Sequence, residues 1–462
     1  SRRSETRPCI WEQWRTEGHD IGTRVRDGLR HGVTHALVVL GNGFLRHPAN
    51  RALREAVQSG DLTPEQLHQQ ILRLIYRFLL LFSVEERGLL HPATDDPAAR
   101  RAAEIYQKGY SLRRLRERAL RRAGFDGHSD LWQGILIVLR GLSTGEPRLG
   151  LPALGGLFAP DQCPNLDNAL LANRELLEVM RSLRWAAADG RLSPVDYRNM
   201  GPEELGSVYE SLLELVPTLD FSTLQFGYAG LTDEGSTDGN ARRLTGSYYT
   251  PDSLVQNLLD TALDPVIAQT LRDNPAQPEQ ALLDLKVIDP ACGSGHFLLG
   301  AARRIAETLA ELRAQGDAVT RESYRHALRD VIAHCIHGVD RNPMAVELAR
   351  SALWIESYEP GQPLSFLDHH LQIGDALLGI LDLKQLTHGI PADAFKALSG
   401  DSAETARALN TLNRQGTTAV AQLADGQGEL DFDQTQQQNL LQSLRQLEAL
   451  PEETLEASLA KQ

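Results

Sequence analysis

Apolar residues recur at helical spacing through the first half of the chain. The clearest predicted helix begins at Pro64, after the capping residue Thr63 and with Gln66 placed to complete a capping box. Apolar side chains then follow every three or four positions as far as Phe82, so one face of this helix is expected to be buried. Further helices are predicted near residues 111–123 and 202–215, separated by an irregular Gly- and Pro-rich connection at 145–164. Residues 1 to about 215 are therefore predicted to be almost entirely helical.

The pattern changes after a polar, Gly-containing stretch at residues 232–246. A helix capped by Thr250 comes first. Short apolar runs then alternate with helical patterns, which predicts strands at 285–289, 335–340 and 371–374 and helices at 294–312, 321–333 and 343–356. This βαβαβ order is typical of a parallel sheet with crossover helices. We expect a helical domain at 1–231, a linker or loop at 232–246, an α/β domain at 247–380 and a helical insertion or tail at 381–462.

Composition and charge limit the cellular compartments and the binding partners that are expected for this chain. The 462 residues suggest two or three domains, and the net charge of −14 argues against binding nucleic acid by bulk electrostatics, although a local basic groove is not excluded. The four cysteines form no CxxC pair, and neither a secretory signal nor an apolar run long enough to span a bilayer is visible. We expect reduced thiols, no membrane association and a cytoplasmic location.

The turn Asp289-Pro290-Ala291-Cys292-Gly293-Ser294-Gly295 carries the most specific chemistry. An apolar strand leads into it and a helix follows at once. Its glycines permit positive φ and close approach of a ligand, and the carboxylate of Asp289 can accept hydrogen bonds from a cationic or hydroxylated group. A plain strand-to-helix turn is the simpler interpretation of a lone Gly-x-Gly, but the strand, the helix and the carboxylate together favour a nucleotide-type site.

Two further carboxylates end the next two predicted strands. Asp340 stands where doubly wound folds hold a ribose, and Asn342 and Pro343 would cap the helix that follows. Asp375 could accept a hydrogen bond from the amine of an adenine that Ala376 and Leu377 would line. Taken alone, Asp340 would be an ordinary helix cap and Asp375 a solvated turn residue. Their order after the first motif favours a binding site.

These motifs, with Gly246-Ser247-Tyr248-Tyr249-Thr250-Pro251, resemble the gamma-type adenine-N6 DNA methyltransferases of type I and type IIG restriction–modification systems. The resemblance covers about residues 245–380; residues 73–88 resemble, more loosely, the helical region ahead of the methylase in type IIG-like and phage-defence enzymes. It implies a partial Rossmann-like class I methyltransferase sheet and S-adenosylmethionine as cofactor. The Tyr-Tyr-Thr-Pro segment would close over the methionine end, and the Asp-Pro-Ala-Cys-Gly turn would surround the methionine. The cofactor-binding residues that it implies are Tyr249, Thr250, Asp289, Pro290, Ala291, Cys292, Gly293, Gly295, Phe297, Asp340, Asn342, Asp375, Ala376 and Leu377.

The family's catalytic motif, Asn/Asp-Pro-Pro followed by an aromatic residue, does not occur in these 462 residues. No catalytic residue is therefore assigned. We expect a fragment or one partner of a split enzyme that binds the cofactor weakly or not at all and does not methylate DNA alone. Three rivals stay open: an RNA or protein-glutamine methyltransferase, a nicotinamide-dependent oxidoreductase, disfavoured because Gly-x-Gly-x-x-Gly is absent, and a scaffolding subunit of a defence complex.

Weaker signals concern DNA and metals. Six arginines crowd one short predicted helix, and they would form either a phosphate-contacting stripe or a solvated charged face; they are Arg113, Arg114, Arg116, Arg118, Arg121 and Arg122. Double-stranded DNA is the expected partner, bound through C-terminal regions missing from these 462 residues and aided by Arg113, Arg114, Arg118 and Arg121. Protein partners from a defence system are a further expectation. The pairs His334 with His337 and His369 with His370 lack a full ligand set at suitable spacing, so no metal is expected.

Overall fold

A computed structural model describes residues 29–91, 94–188, 191–200, 215–229, 252–358, 367–378 and 402–424, together with positions 212, 250, 395 and 396. Residues 29–46 form the first helix, α1. The other helices of the first half are α2 (Arg51–Ser59), α3 (Pro64–Glu86), α4 (Pro97–Gly109), α5 (Leu112–Arg118), α6 (Asp130–Thr144) and α7 (Asn173–Ser182). Those of the second half are α8 (Asp252–Leu258), α9 (Asp264–Asp273), α10 (Pro278–Leu283), α11 (His296–Ala314), α12 (Arg321–Cys335), α13 (Pro343–Glu356) and α14 (Ala403–Ala424).

Helix α3 is the central element of the helical region and confirms the prediction made for it. Thr63 accepts a hydrogen bond from the backbone of Gln66, whose side chain in turn accepts from the backbone N–H of Thr63. Almost every side chain from Leu67 to Val84 is buried, because neighbouring helices cover more than one face. Trp132 of α6, edge-on to Phe44, is fully buried in the same core.

The described residues include two β-hairpins. One lies inside the region predicted to be almost entirely helical, and the other follows just after residue 215. Strands β1 (Trp185–Ala188) and β2 (Arg191–Pro194) pair antiparallel, as do β3 (Pro217–Asp220) and β4 (Gln225–Tyr228). The all-helical prediction was wrong here because pairing and packing override the helical preference of the alanines in β1. Asn42 holds β4 on α1 by accepting from the N–H of Phe226 and donating to its carbonyl, at 3.1 and 2.9 Å.

The predicted helix at 111–123 is shorter than expected. Helix α5 ends at Arg118, and a 3-10 turn at Arg122–Gly124 follows. Leu120 directly after Ala119 is 55% exposed, so the buried apolar face of the helix does not continue at that point. The predicted helix at 202–215 and the loop at 232–246 lie outside the described residues, apart from the isolated positions 212 and 215.

A three-stranded parallel sheet forms the α/β part, in the order β5 (Val287–Asp289), β6 (Ile336–Asp340), β7 (Leu371–Ile373). Helices α11 and α12 connect β5 to β6, and the sheet is packed by α11, α12 and α13. All three strands and their crossover helices were predicted from sequence to within a few residues. The structure therefore confirms the coarse fold: a largely helical chain with a small parallel sheet.

Contacts divide the chain into two compact units. One comprises Ser1–Gly374 with Glu453–Leu455, and the other Asp375–Glu452 with Glu456–Gln462. The first division thus falls directly after β7; the predicted boundaries at 231, 246 and 380 stay predictions. In the described part of the chain, no helix is long and apolar enough to cross a bilayer.

Candidate cofactor site

The turn after β5 folds back onto the neighbouring strand. Residues 290–295 join β5 to α11, and the N–H of Cys292 donates to the carbonyl of Val339 in β6 at 3.0 Å. Gly293 and Gly295 both have positive φ, +52° and +84°. A Cβ on Gly293 would meet nothing within 4 Å, whereas one on Gly295 would lie 3.1 Å from the Cβ of Ala349. One glycine therefore faces open space, and the other lets α11 approach α13 closely.

Asp340, the last residue of β6, ties three pieces of backbone together. Its Oδ2 accepts from the N–H of Gly293 at 2.9 Å and its Oδ1 from the N–H of Asn342 at 2.8 Å. Its own carbonyl accepts from the N–H of Gly374 at 3.0 Å, just after β7. One residue thereby joins the glycine turn, the start of α13 and the end of the third strand.

Asp289 ends β5 beside this arrangement. Its Oδ1 accepts from the N–H of Ala291 at 3.0 Å. Burial raises the pKa of Asp289 above its ordinary value, the Ala291 amide offsets part of that rise, and the negative charge of Asp340 adds to it. A cationic or hydrogen-bond-donating ligand between the two carboxylates would relieve both the repulsion and the desolvation.

Cys292 is structural rather than reactive. Burial, together with the charges of Asp340 and Asp289, raises the pKa of its thiol to about 12, so the thiol stays protonated. A Cβ placed on Gly338 would lie 3.0 Å from the Cβ of Cys292, 2.8 Å from Leu298 and 2.9 Å from Leu371. Gly338 therefore lets α11 and its turn lie directly on β6.

The remaining predicted site residues differ in surroundings. Phe297 is half-buried against the core, and the side chain of Asn342 accepts from the N–H of Met344, capping α13 as predicted. Thr250 is half-buried before α8, and Tyr249 lies outside the described residues. Asp375 begins the second unit, where its Oδ1 accepts from the N–H of Leu377 at 3.0 Å. The exposed residues of the predicted set are Pro290, Ala291, Ala376 and Leu377.

The six arginines on and after α5 do not share one environment. Arg116 is buried, forms an ion pair with Glu86 and lies over the ring of Phe82 at 4.5 Å, so it belongs neither to a phosphate-contacting stripe nor to a solvated charged face. The sequence held a signal for the burial of Arg116. This residue lies four positions after Leu112 and three before Ala119, on the helix face that these two buried residues share. The described residues contain no group of three or more side chains able to hold a metal ion.

Sequence reasoning also missed Arg304 of α11. Its guanidinium contacts Asp264 at 2.5 Å and Asp260 at 2.9 Å. The acids four residues apart were visible in the sequence, but only the fold shows which arginine they meet.

Comparison with known proteins relates the α/β part to one family. Residues 270–386 match the family described as MmeI, DNA-methyltransferase domain. A putative type II restriction enzyme and methyltransferase of Methanocaldococcus jannaschii is 24% identical over 280 residues, covering 50% of this chain and 21% of the relative. The adenine-specific methyltransferase PglX of Streptomyces coelicolor is 35% identical over 146 residues, covering 30% of this chain and 11% of that protein. The chain thus spans about a fifth or less of the length of these relatives.

A solved structure of the type IIL restriction–modification enzyme MmeI in complex with DNA overlaps 78% of this chain and 42% of that chain, at 14% identity and a TM-score of 0.44. The family match and the two relatives confirm the resemblance predicted from sequence. Residues 270–386 of this chain are thus similar to the DNA-methyltransferase domain of the MmeI family, and parts of the chain are similar to an adenine-specific methyltransferase and to a restriction enzyme and methyltransferase.

Proposed function

We propose that this chain is the S-adenosylmethionine-binding part of an adenine-N6 DNA methyltransferase of a restriction–modification or phage-defence system. The observation that carries the proposal is the bridge made by Asp340 between the glycine turn after β5 and the start of α13. It lies at the carboxyl ends of adjacent parallel strands, where open α/β sheets bind nucleotides. We propose further that β5, β6 and β7 belong to a Rossmann-like class I methyltransferase sheet.

The residues around the turn suit such a cofactor. Among the described residues, the hydrogen bond to the side chain of Asp289 is made at Oδ1. Its Oδ2 can therefore accept from the ammonium group of a methionine. Each oxygen of Asp340 accepts one backbone N–H and keeps capacity for a ribose hydroxyl. Gly293 leaves open space beside the turn. Thr250 would face the methionine end, and Asp375 would take the adenine amine.

When bound, the cofactor supplies a methyl group on a sulfonium, which needs neither a metal nor a covalent enzyme intermediate. The residues of this chain then bind and orient that group. The protonated thiol of Cys292 takes no part as a nucleophile. The acceptors that receive the target amine belong to the Asn/Asp-Pro-Pro motif, which these 462 residues lack.

Titration of the full chain with S-adenosylmethionine and with NAD, followed by ligand-observed NMR, tests the proposal. We expect weak but saturable binding of S-adenosylmethionine, competition by S-adenosylhomocysteine and no binding of NAD. Incubation with duplex DNA and labelled cofactor should transfer no methyl group. Binding of NAD alone, or of neither ligand, would contradict the assignment of the site. Methyl transfer would contradict the expectation that this chain does not methylate DNA alone.

The partner that we propose is duplex DNA, met by the exposed side of α5. On α5, Arg113 is exposed, and Arg114 and Arg118 are half-exposed. Arg121, three residues beyond the end of the helix, is also exposed. The ion pairs seen in the described residues include none of these four, although the whole chain is acidic. Glu85 fastens the start of α5 to the end of α3 by accepting from the N–H groups of residues 112 and 113.

The same end of α3 joins the methyltransferase part. Tyr358, two residues beyond α13, donates to the carbonyl of Leu89, three residues beyond α3, at 2.6 Å. A duplex held by the methyltransferase domain would therefore pass near four arginines that form no ion pair among the described residues, which favours phosphate contact over a merely solvated face.

Replacing Arg113 and Arg114 together by glutamine is expected to weaken duplex binding several-fold. Each lost phosphate contact should reduce the slope of log affinity against log salt by about 0.9, so the slope should fall by roughly two. Fluorescence anisotropy over a salt series measures both quantities. The matched control is Arg46→Gln with Arg51→Gln, which removes the same charge from exposed sites on α1 and α2. Equal effects of the two pairs would show that only net charge matters.

A further inference from the structure

Helix α11 carries a seam of three contacts that begins beside the candidate cofactor site. His296, Gly300 and Arg304 are four residues apart and so share one face of α11. Nε2 of His296 lies 3.6 Å from Oδ1 of Asp252. A Cβ on Gly300 would lie 2.9 Å from Leu259, so the helices touch there. All three contacts are made to the continuous segment that starts with α8.

Arg304 closes the far end of the seam. Its Nη1 contacts Oδ2 of Asp264 at 2.5 Å, and its Nη2 donates to Oδ1 of Asp260 and Oε1 of Gln256, both at 2.9 Å. One guanidinium thus binds three side chains that are spaced four residues apart on α8, on the connecting turn and on α9. A planar group with five donors suits this arrangement, which an ammonium could not reproduce.

The connecting turn, Leu259–Leu263, is a π-helix. In a regular α-helix, side chains four residues apart drift by about 40° around the axis, because a turn holds 3.6 residues. The wider π turn takes back part of this rotation, so Gln256, Asp260 and Asp264 all face Arg304. Without it, the last of the three acceptors would turn away from α11.

From this geometry we propose that Arg304 and the π turn are a positioning device for the cofactor site. The device fixes the register of α8 along α11, and hence the place of Thr250, which precedes α8, relative to the turn at Gly293 and Gly295. Arg304 itself lies about 12 Å along the helix from His296, too far to touch a ligand at that turn. This inference rests on the proposed function, because it assigns Thr250 to the methionine end of the cofactor.

A second arginine of the same helix provides a matched control. Arg313 contacts Glu279 of α10 at 2.5 Å and Asp330 of α12 at 2.7 Å, so it also joins helices through two carboxylates. It lies at the end of α11 away from the glycine turn, and its partners are outside α8. Loss of either arginine removes comparable ion pairs, but of the two arginines Arg304 is the one that binds the segment containing α8.

The experiment compares Arg304→Met, Arg304→Lys and Arg313→Met in the full chain, using ligand-observed NMR titration and thermal unfolding. We expect both Met variants to lower the Tm by similar amounts. Arg304→Met should weaken S-adenosylmethionine about tenfold, Arg304→Lys should be intermediate, and Arg313→Met should stay close to the unaltered protein. Binding of 5′-methylthioadenosine, which has the ribose and adenine but lacks the amino-acid end, should change little in all three.

The possible outcomes separate the two proposals. If the unaltered chain does not bind S-adenosylmethionine, the proposed function fails, and the positioning role with it. If the chain binds but Arg304→Met weakens binding no more than Arg313→Met does, the positioning role alone is overturned. The same holds if Arg304→Met weakens both ligands equally, since this would indicate a general loss of structure around the turn.

Discussion

Replacing Asp340 with alanine is expected to abolish detectable binding of S-adenosylmethionine by the full chain. The change removes the acceptor for the N–H groups of Gly293 and Asn342, and with it the proposed acceptor for the ribose. Hydrogen bonds to a charged group contribute about 1.5–3 kcal/mol each, so losing the turn's anchor and the ligand contact should weaken binding roughly 100-fold or more. Ligand-observed NMR titration measures the loss directly.

Asp340→Asn separates geometry from charge. An amide keeps one oxygen acceptor for the backbone, so this variant should retain part of the affinity. The control is Asp284→Ala, which removes an exposed carboxylate shortly before β5, at the other end of the strand from the turn. If Asp340→Ala bound the cofactor as well as Asp284→Ala does, the ligand could not occupy the proposed place.

Replacing Arg77 with methionine is expected to give the largest loss of stability. Arg77 of α3 is fully buried, pairs with Asp167 at 2.9 Å and donates to the carbonyls of Leu157 and Ala159 at 2.9 and 3.2 Å. Removing one partner of such a pair leaves a poorly solvated carboxylate and unpaired carbonyls, which costs about 3–5 kcal/mol of unfolding free energy. Urea unfolding followed by circular dichroism measures the change.

The exposed ion pair of Arg51 with Glu55 is the control for this prediction. Both side chains are largely in solvent, so Arg51→Met should leave the free energy of unfolding nearly unchanged. A loss below about 1 kcal/mol for Arg77→Met would mean that the connection at residues 157–167 rearranges without its arginine.

Local sequence signals predicted the elements that position the site. Helix α13 begins and ends where expected, because Asn342 and Pro343 specify its start and its apolar residues recur at helical spacing. The strands are short apolar runs that end in Asp289 and Asp340, and their crossover helices leave few other topologies. The pattern therefore held enough information for the sheet and for the turn.

Long-range pairing explains most of what could not be predicted. The hairpin of β1 and β2 has alanines that favour a helix, and only the Asp189-Gly190 dipeptide between its strands signals a turn. The π turn at Leu259–Leu263 turns Asp260 and Asp264 towards Arg304, which lies 40 residues or more further along the chain than the acids it binds. Such contacts depend on the tertiary arrangement, which single-sequence periodicity does not contain.

The close approach at Gly338 has a consequence for the evolution of related chains. Any larger residue there would overlap Leu298, Leu371 and Cys292 at once. A substitution could survive only together with smaller residues on α11 or β7, or after a shift of the helix that would displace the glycine turn. Relatives that keep the turn are therefore expected to keep this glycine, and those that have lost it should show paired changes at the positions of Leu298 and Leu371.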